Sequence, residues 1–230
     1  MCGIVGFFSA DGHNHQNIVV DMMDAIKHRG PDDEGFWHDS ESNVYLGHRR
    51  LSVVDLSSLG HQPMTSCSDR YVIVFNGEIY NHLLLRKSLK KSGVNITWRG
   101  HSDTETLLAC IDTWGLKKTI KKCSGMFAIA LFDKKHNSIY LVRDRLGEKP
   151  LYYGIQNGVF LFGSELKALK KHPEFQGEID RNSLALQLKY SYIPTPYSIY
   201  KGIKKLTPGT ILKVSVNGTY PNIESIESPI

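Results

Sequence analysis

Residues 126–162 read MFAIALFDKKHNSIYLVRDRLGEKPLYYGIQNGVFLF. Short apolar runs at 126–133, 138–143, 151–155 and 159–162 are separated by Asn, Gly and charged turns, the pattern of antiparallel strands rather than of strands joined by crossover helices. This stretch predicts an antiparallel meander and, with it, a second sheet beside the one begun at the N-terminus. There, residues 3–8 (Gly3 to Phe8) form a short, Gly-bounded apolar run typical of a buried strand, and Ile18, Met22, Met23, Ala25 and Ile26 recur at helical spacing within 17–28. Residues 28–35 have loop chemistry, while 35–37 and 44–51 read as strands.

The strand at 71–75 is expected to end sharply at Asn76-Gly77, a dipeptide common in tight turns. Leu84, Leu85 and Leu89 mark a helix over 81–91. Ser102 and Glu105 form a Ser-x-x-Glu capping box that opens a second helix, with Leu107, Leu108, Ile111 and Trp114 on its core face. Helical segments are predicted at 166–171 and 182–190, before an extended stretch holding Pro194 and Pro196. Strands without regular crossovers, flanked by helices, define an α+β layered fold.

Composition narrows the function classes. The chain has 230 residues, 41% hydrophobic and 22% charged, with 28 basic and 23 acidic side chains giving a net charge of +5. That balance fits a globular protein and gives no basic stripe that would demand nucleic acid; Lys117, Lys118, Lys121 and Lys122 read as the solvated face of a helix. No apolar run approaches the roughly 20 residues that span a bilayer, and the N-terminus lacks a basic leader segment, so a cytoplasmic protein is expected. Cys2, Cys67, Cys110 and Cys123 form no C-x-x-C pair, which argues for a reducing compartment and against a zinc site. His13 and His15, without a third ligand at metal spacing, are expected in solvent, and the acceptor patterns at Asn95 and Asn217 are read as chance matches.

Cys2 is the first chemical candidate. Removal of Met1 would place an α-amine beside the thiol, and an amine whose unperturbed pKa is about 7.7–8.0 can take the proton of a thiol of about 8.5. An isolated cysteine is otherwise most often a small buried apolar residue. Its company decides between the two. Cys2-Gly3-Ile4-Val5-Gly6-Phe7, His28-Arg29-Gly30-Pro31-Asp32, Arg50-Leu51-Ser52-Val53-Val54-Asp55, Phe75-Asn76-Gly77-Glu78-Ile79-Tyr80-Asn81, Ser102-Asp103-Thr104-Glu105, Gly125-Met126-Phe127-Ala128 and the run from Arg143 to Tyr153 follow one another in order. In these motifs the chain resembles class II glutamine amidotransferases. The His-Arg-Gly-Pro-Asp and Arg-Leu-Ser forms, and the tail from Ile179 to Gly209, resemble the glutaminase half of glutamine-hydrolysing asparagine synthetases.

The resemblance implies the four-layer αββα sandwich of N-terminal nucleophile hydrolases, with a core over 1–165 and an extension over 166–230 leading into a synthetase domain. It implies that Cys2 attacks the side-chain amide of glutamine and that Asn76 and Gly77 stabilise the oxyanion. Arg50 then meets the substrate α-carboxylate and Asp103 its α-ammonium, with Leu51, Ser52, Val53, Val54 and Glu78 lining the pocket. Arg143, Asp144 and Arg145 are read as structural support. No cofactor is implied for this chain. ATP and Mg are expected only for the synthetase half, because neither a Ser-Gly-Gly-x-Asp-Ser nor a Gly-x-x-x-x-Gly-Lys loop occurs in these residues. The implied partners are L-glutamine, a synthetase domain in cis or in trans and, as one option, a second copy in a homodimer; nucleic acid and membrane are not among them. Two rival functions stay open at this point: an N-terminal-nucleophile amidohydrolase acting on another amide, and a non-catalytic glutamine-sensing or assembly module.

Overall fold

Alternation along the strands builds the molecule in layers. In the computed structural model, which describes residues 1–9, 15–216 and 220–227, every residue of the first strand, β1 (Gly3–Phe8), is buried. Its side chains nonetheless divide by parity: Ile4 and Phe8 enter one apolar cluster, Val5 and Phe7 another. A strand so buried on both faces must be central.

The chain then runs through α1 (Gln16–Asp24), β2 (Asp33–Asp39), β3 (Val44–Arg50), β4 (Met64–Thr65), β5 (Tyr71–Ile79), α2 (His82–Lys91), α3 (Asp103–Trp114) and α4 (Leu116–Lys122). It continues with β6 (Gly125–Asp133), β7 (Ser138–Arg143), β8 (Tyr152–Gln156), β9 (Val159–Gly163), α5 (Leu166–Leu169), α6 (Arg181–Tyr190), β10 (Ile203–Lys205), β11 (Ile211–Ser215) and β12 (Asn222–Glu227). The strands form two six-stranded antiparallel sheets, ordered β10-β8-β9-β1-β3-β2 and β12-β11-β7-β6-β5-β4. Ile4, Val44 and Leu46 of the first meet Val72, Val74, Ala130 and Phe132 of the second in the middle layer. Met22 and Met23 of α1 and Leu169 of α5 cover the outside of the first sheet; Leu85, Leu107, Ile111 and Ile120 of α2 to α4 cover the outside of the second. This is the α+β four-layer sandwich.

Three local readings need correction. The run 126–162 is not one meander: β6 and β7 pair in one sheet and β8 and β9 in the other, because the corner at 144–151 crosses between them. Asn76-Gly77 does not end its strand. The β5–β6 ladder continues through Asn76↔Ala128 and Gly77↔Phe127 to Ile79↔Gly125, so extended pairing overrides the turn preference of the dipeptide. Gly77 is required by that pairing, since a Cβ there would lie 2.2 Å from the Met126 carbonyl. The Ser102 hydroxyl accepts the Glu105 N–H at 3.2 Å, but Glu105 completes no reciprocal box; it accepts instead from the Arg99 and Gly100 amides at 2.8 and 3.1 Å.

The tail supplies β10 to the first sheet and β11 and β12 to the second. Lys117, Lys118, Lys121 and Lys122 are exposed on α4. His15 is half-buried rather than solvated, its ring lying 6.3 Å from that of Phe7 and 6.2 Å from that of Tyr45; His13 and Asn217 lie outside the described residues. All four cysteines are free. Among the described residues no helix is long and apolar enough to cross a membrane.

Candidate active site

At one end of the sandwich the inward-facing positions stop being apolar. On β3 the inward sequence Val44, Leu46 continues as His48 and Arg50; on β5, Val72 and Val74 continue as Asn76; and on β1 the parity of Ile4 leads back to Cys2. Cys2, Arg50 and Asn76 line a cavity of ≈ 170 Å³. The same cavity takes in Leu51, Val53, Val54, Gly77, Glu78 and Asp103, so all but one of the expected residues converge. Ser52 does not: its amide donates to Asp32 Oδ2 at 2.8 Å, which turns it toward a neighbouring depression lined by Asp33, Ser57 and His61.

The Cys2 thiol is held by the chain just after β3. The Leu51 N–H donates to Cys2 Sγ at 3.3 Å, and Sγ lies 3.5 Å from the Leu51 carbonyl. Burial pushes the thiol pKa up, only partly offset by that N–H, the positive N-terminus and Arg50, so the resting group is a protonated thiol in need of a base. Arg29 fixes the backbone, donating from Nε to the Cys2 carbonyl at 2.9 Å while its Nη1 meets Glu165 at 2.9 Å.

The oxyanion candidates come from an open edge. β4 pairs with β5 only at Ile73 and Val72, so beyond them β5 has no neighbouring strand on that side. On this edge the Phe75 N–H donates to Gln62 Oε1 at 2.7 Å and the Ile79 N–H to Asp103 Oδ2 at 2.8 Å. The Gly77 N–H lies between them on the same edge by the two-residue period. Next to it, Asn76 Nδ2 is buried with no hydrogen-bond partner. A buried amide donor without an acceptor is destabilising unless something else supplies the acceptor, which marks it as a site for a ligand oxygen.

The charged residues are arranged unequally. Asp103, at the start of α3, is 5% exposed, and burial raises its pKa to about 6 against the pull of the Ile79 and Thr104 amides. Arg50 is already engaged: Nη1 donates to the Ser57 carbonyl at 2.9 Å, Nη2 to the Asp55 carbonyl, and Asp33 stands 3.7 Å away. Gly60 is packed against this guanidinium, for a Cβ there would fall 2.2 Å from Nη2. Arg50 thus organises the loop 55–60 as well as the cavity wall. Among the lining residues that sequence reasoning missed are Gln62, Thr104, Met126 and Lys149. Thr104, Met126 and Lys149 had a signal, their places inside the ordered motifs; Gln62 had none.

An antiparallel four-layer sandwich carrying a thiol at the head of a central strand has the architecture of the N-terminal nucleophile hydrolases. Residues 1–223 match the glutamine amidotransferase domain family. The chain is 39% identical over 98% of its length to asparagine synthetase [glutamine-hydrolyzing] 3 of Bacillus subtilis and 36% identical over 95% to asparagine synthetase [glutamine-hydrolyzing] 1 of the same organism. It spans 37% and 34% of those two proteins. Glutamine phosphoribosylpyrophosphate amidotransferase from B. subtilis shares the fold, with a TM-score of 0.67 at 16% identity over 97% of this chain and 49% of that one. The chain belongs to the class II glutamine amidotransferase family and is related to the asparagine synthetases within it.

Proposed function

We propose that this chain hydrolyses the side-chain amide of L-glutamine to glutamate and ammonia. The observation that carries the reading is the convergence of the Cys2 thiol and the partnerless Asn76 amide on one cavity. Attack of Sγ on the amide carbon puts negative charge on the carbonyl oxygen, and Asn76 Nδ2 with the Gly77 N–H supplies preorganised donors for it. The thiol proton passes through the base to the leaving nitrogen, ammonia departs, and water hydrolyses the γ-glutamyl thioester.

The base is the α-amine of Cys2 after removal of Met1. With Met1 in place the Cys2 nitrogen is a planar, non-basic amide, and Met1 itself lines the cavity. Asp103 receives the α-ammonium of the substrate, whose positive charge favours the ionised carboxylate that burial alone disfavours. Arg50 faces the α-carboxylate, with Leu51, Val53, Val54 and Glu78 completing the wall. Ser52 stays outside this wall, its amide bonded to Asp32.

The ammonia serves an asparagine-synthetase-like amidation performed by a synthetase domain in cis or in trans, which is where ATP and Mg belong; the identity to the two B. subtilis asparagine synthetases supports that reading. A glutaminase of this kind, assayed in purified form, releases ammonia from glutamine without ATP or Mg, and prefers glutamine to amides that lack either α-charge. Equal turnover of a simple aliphatic amide would point to the amidohydrolase alternative, and glutamine binding without turnover in a Met1-free chain to the sensing module.

A further inference from the structure

Asn76 follows a residue whose two backbone polar groups are both held by side chains. Both polar groups of Phe75 point to the open edge of β5, and both are taken by side chains from elsewhere in the fold. The N–H donates to Gln62 Oε1 at 2.7 Å, and Gln62 Nε2 is in turn 3.3 Å from Thr104 Oγ1. The carbonyl lies 3.1 Å from His48 Nε2. A carbonyl only accepts, so Nε2 carries the imidazole proton and Nδ1 is bare.

His48 is fully buried, and its Nδ1 has no partner. Desolvation lowers its pKa to about 4, leaving it a neutral donor at neutral pH. Its strand, β3, belongs to the sheet of β1 and runs directly into Leu51, whose amide contacts the Cys2 thiol. The carbonyl it holds belongs to the opposite sheet. A leucine would fill similar space without the orphaned Nδ1, so packing alone does not account for a histidine here.

Resting on the glutaminase reading above, we infer that His48 and Gln62 are positioning residues that hold the Phe75 backbone at its carbonyl and its N–H, in the two peptide units that flank this residue, and thereby set the Asn76 amide against the Cys2 nucleophile. His48 is the strut between the sheet that carries the thiol and the sheet that carries the donor. Neither residue touches substrate through this role; each acts through the backbone next to Asn76. Small misplacements of such a donor are costly in rate, of order 10²-fold for about 1 Å.

The test is a set of variants in the Met1-free enzyme. His48→Leu lowers kcat for glutamine at least about tenfold while KM moves less than about threefold and alkylation of Cys2 by iodoacetamide, which needs no oxyanion donor, keeps its rate. His48→Gln, which can present an amide N–H where Nε2 stood, restores most of kcat. In an Asn76→Ala background His48→Leu costs nothing further, because the group it positions is gone. Gln62→Leu gives the same kcat loss through the Phe75 N–H and serves if His48→Leu is too unstable to purify. A His48→Leu or Gln62→Leu enzyme with wild-type kcat, a parallel loss of kcat and alkylation rate, or a full additive loss in the Asn76→Ala background would overturn the clamp. Wild-type turnover in Asn76→Ala itself would instead remove the oxyanion reading on which the clamp rests.

Discussion

Two polar regions of this molecule are built to opposite rules. At the corner following β7, Asp144 is fully buried and its carboxylate accepts four backbone N–H groups: Phe127 at 3.2 Å, Leu146 at 3.0 Å, Glu148 at 2.9 Å and Lys149 at 3.0 Å. Beside it, Arg143 donates to the carbonyls of Lys149, Leu206 and Gly147 at 2.7–2.8 Å. At the open edge of β5, a few residues across the same ladder, Asn76 Nδ2 has no acceptor and Asp103 is held near the midpoint of its titration at slightly acid pH. Both regions carry dense, motif-like sequence. In this pair polar satisfaction separates scaffold from site: the saturated Asp144 and Arg143 hold the chain, while the unsaturated Asn76 amide borders the cavity.

The largest expected effect lies at the site. Cys2→Ala abolishes glutamine hydrolysis and leaves the melting temperature nearly unchanged, because the thiol packs little volume; Cys2→Ser is severely impaired as well, an alcohol being the poorer nucleophile at neutral pH. A steady-state ammonia assay with a thermal melt on the same sample reads both, and residual turnover near wild type would remove the nucleophile assignment.

Asn76→Ala and Asp144→Ala sharpen the comparison directly. Asn76→Ala lowers kcat by about 10²–10³, the scale of one lost oxyanion donor, with stability changed by less than about 1 kcal/mol. Asp144→Ala strands the buried N–H groups of Phe127 and Lys149 and releases those of the exposed Leu146 and Glu148, costing about 3 kcal/mol or more of stability, which denaturant titration detects. If Asn76→Ala unfolds the protein and Asp144→Ala spares it, the two regions have been assigned the wrong way round.

The smallest effect concerns Asp103 and pH. Its folded pKa of about 6 lies above the ordinary aspartate value of 3.8, so the folded state binds more protons than the unfolded one between those values. The group therefore opposes folding at neutral pH, and that opposition fades as pH falls through 6. Substrate binding moves the other way: KM for glutamine rises as pH drops below about 6, while Asp103→Asn binds glutamine weakly at every pH and is no less stable than wild type at pH 7. A KM profile flat from pH 7 to pH 5 in the native enzyme would take Asp103 out of the substrate site.

Much of the fold could be read in advance because strand periodicity is a local property. Residues 138–143 coincide with β7 and 126–133 differ from β6 by one residue, their alternation being intact. Asn76-Gly77 misled because a dipeptide preference is weaker than a nine-residue ladder with β6. The tail strands escaped notice for another reason: β10 has three residues, two of them lysines, and owes its strand state to β8. In the site, Cys2, Arg50, Asn76 and Asp103 were legible through ordered motifs. Thr104 and Lys149 lie inside those same motifs without being singled out, whereas Gln62 and His48 reach their places by tertiary approach from segments whose own sequence reads as loop or core.

In the proposed reaction the Cys2 sulfur forms a γ-glutamyl thioester in a chain from which Met1 has been removed. Acid-quenching the enzyme during turnover of glutamine and mapping the intact and digested protein by mass spectrometry tests it. The expected result is one γ-glutamyl group, on Cys2, confined to the polypeptide that lacks Met1. An adduct on any other residue, or full glutaminase activity in a preparation that uniformly retains Met1, would contradict it.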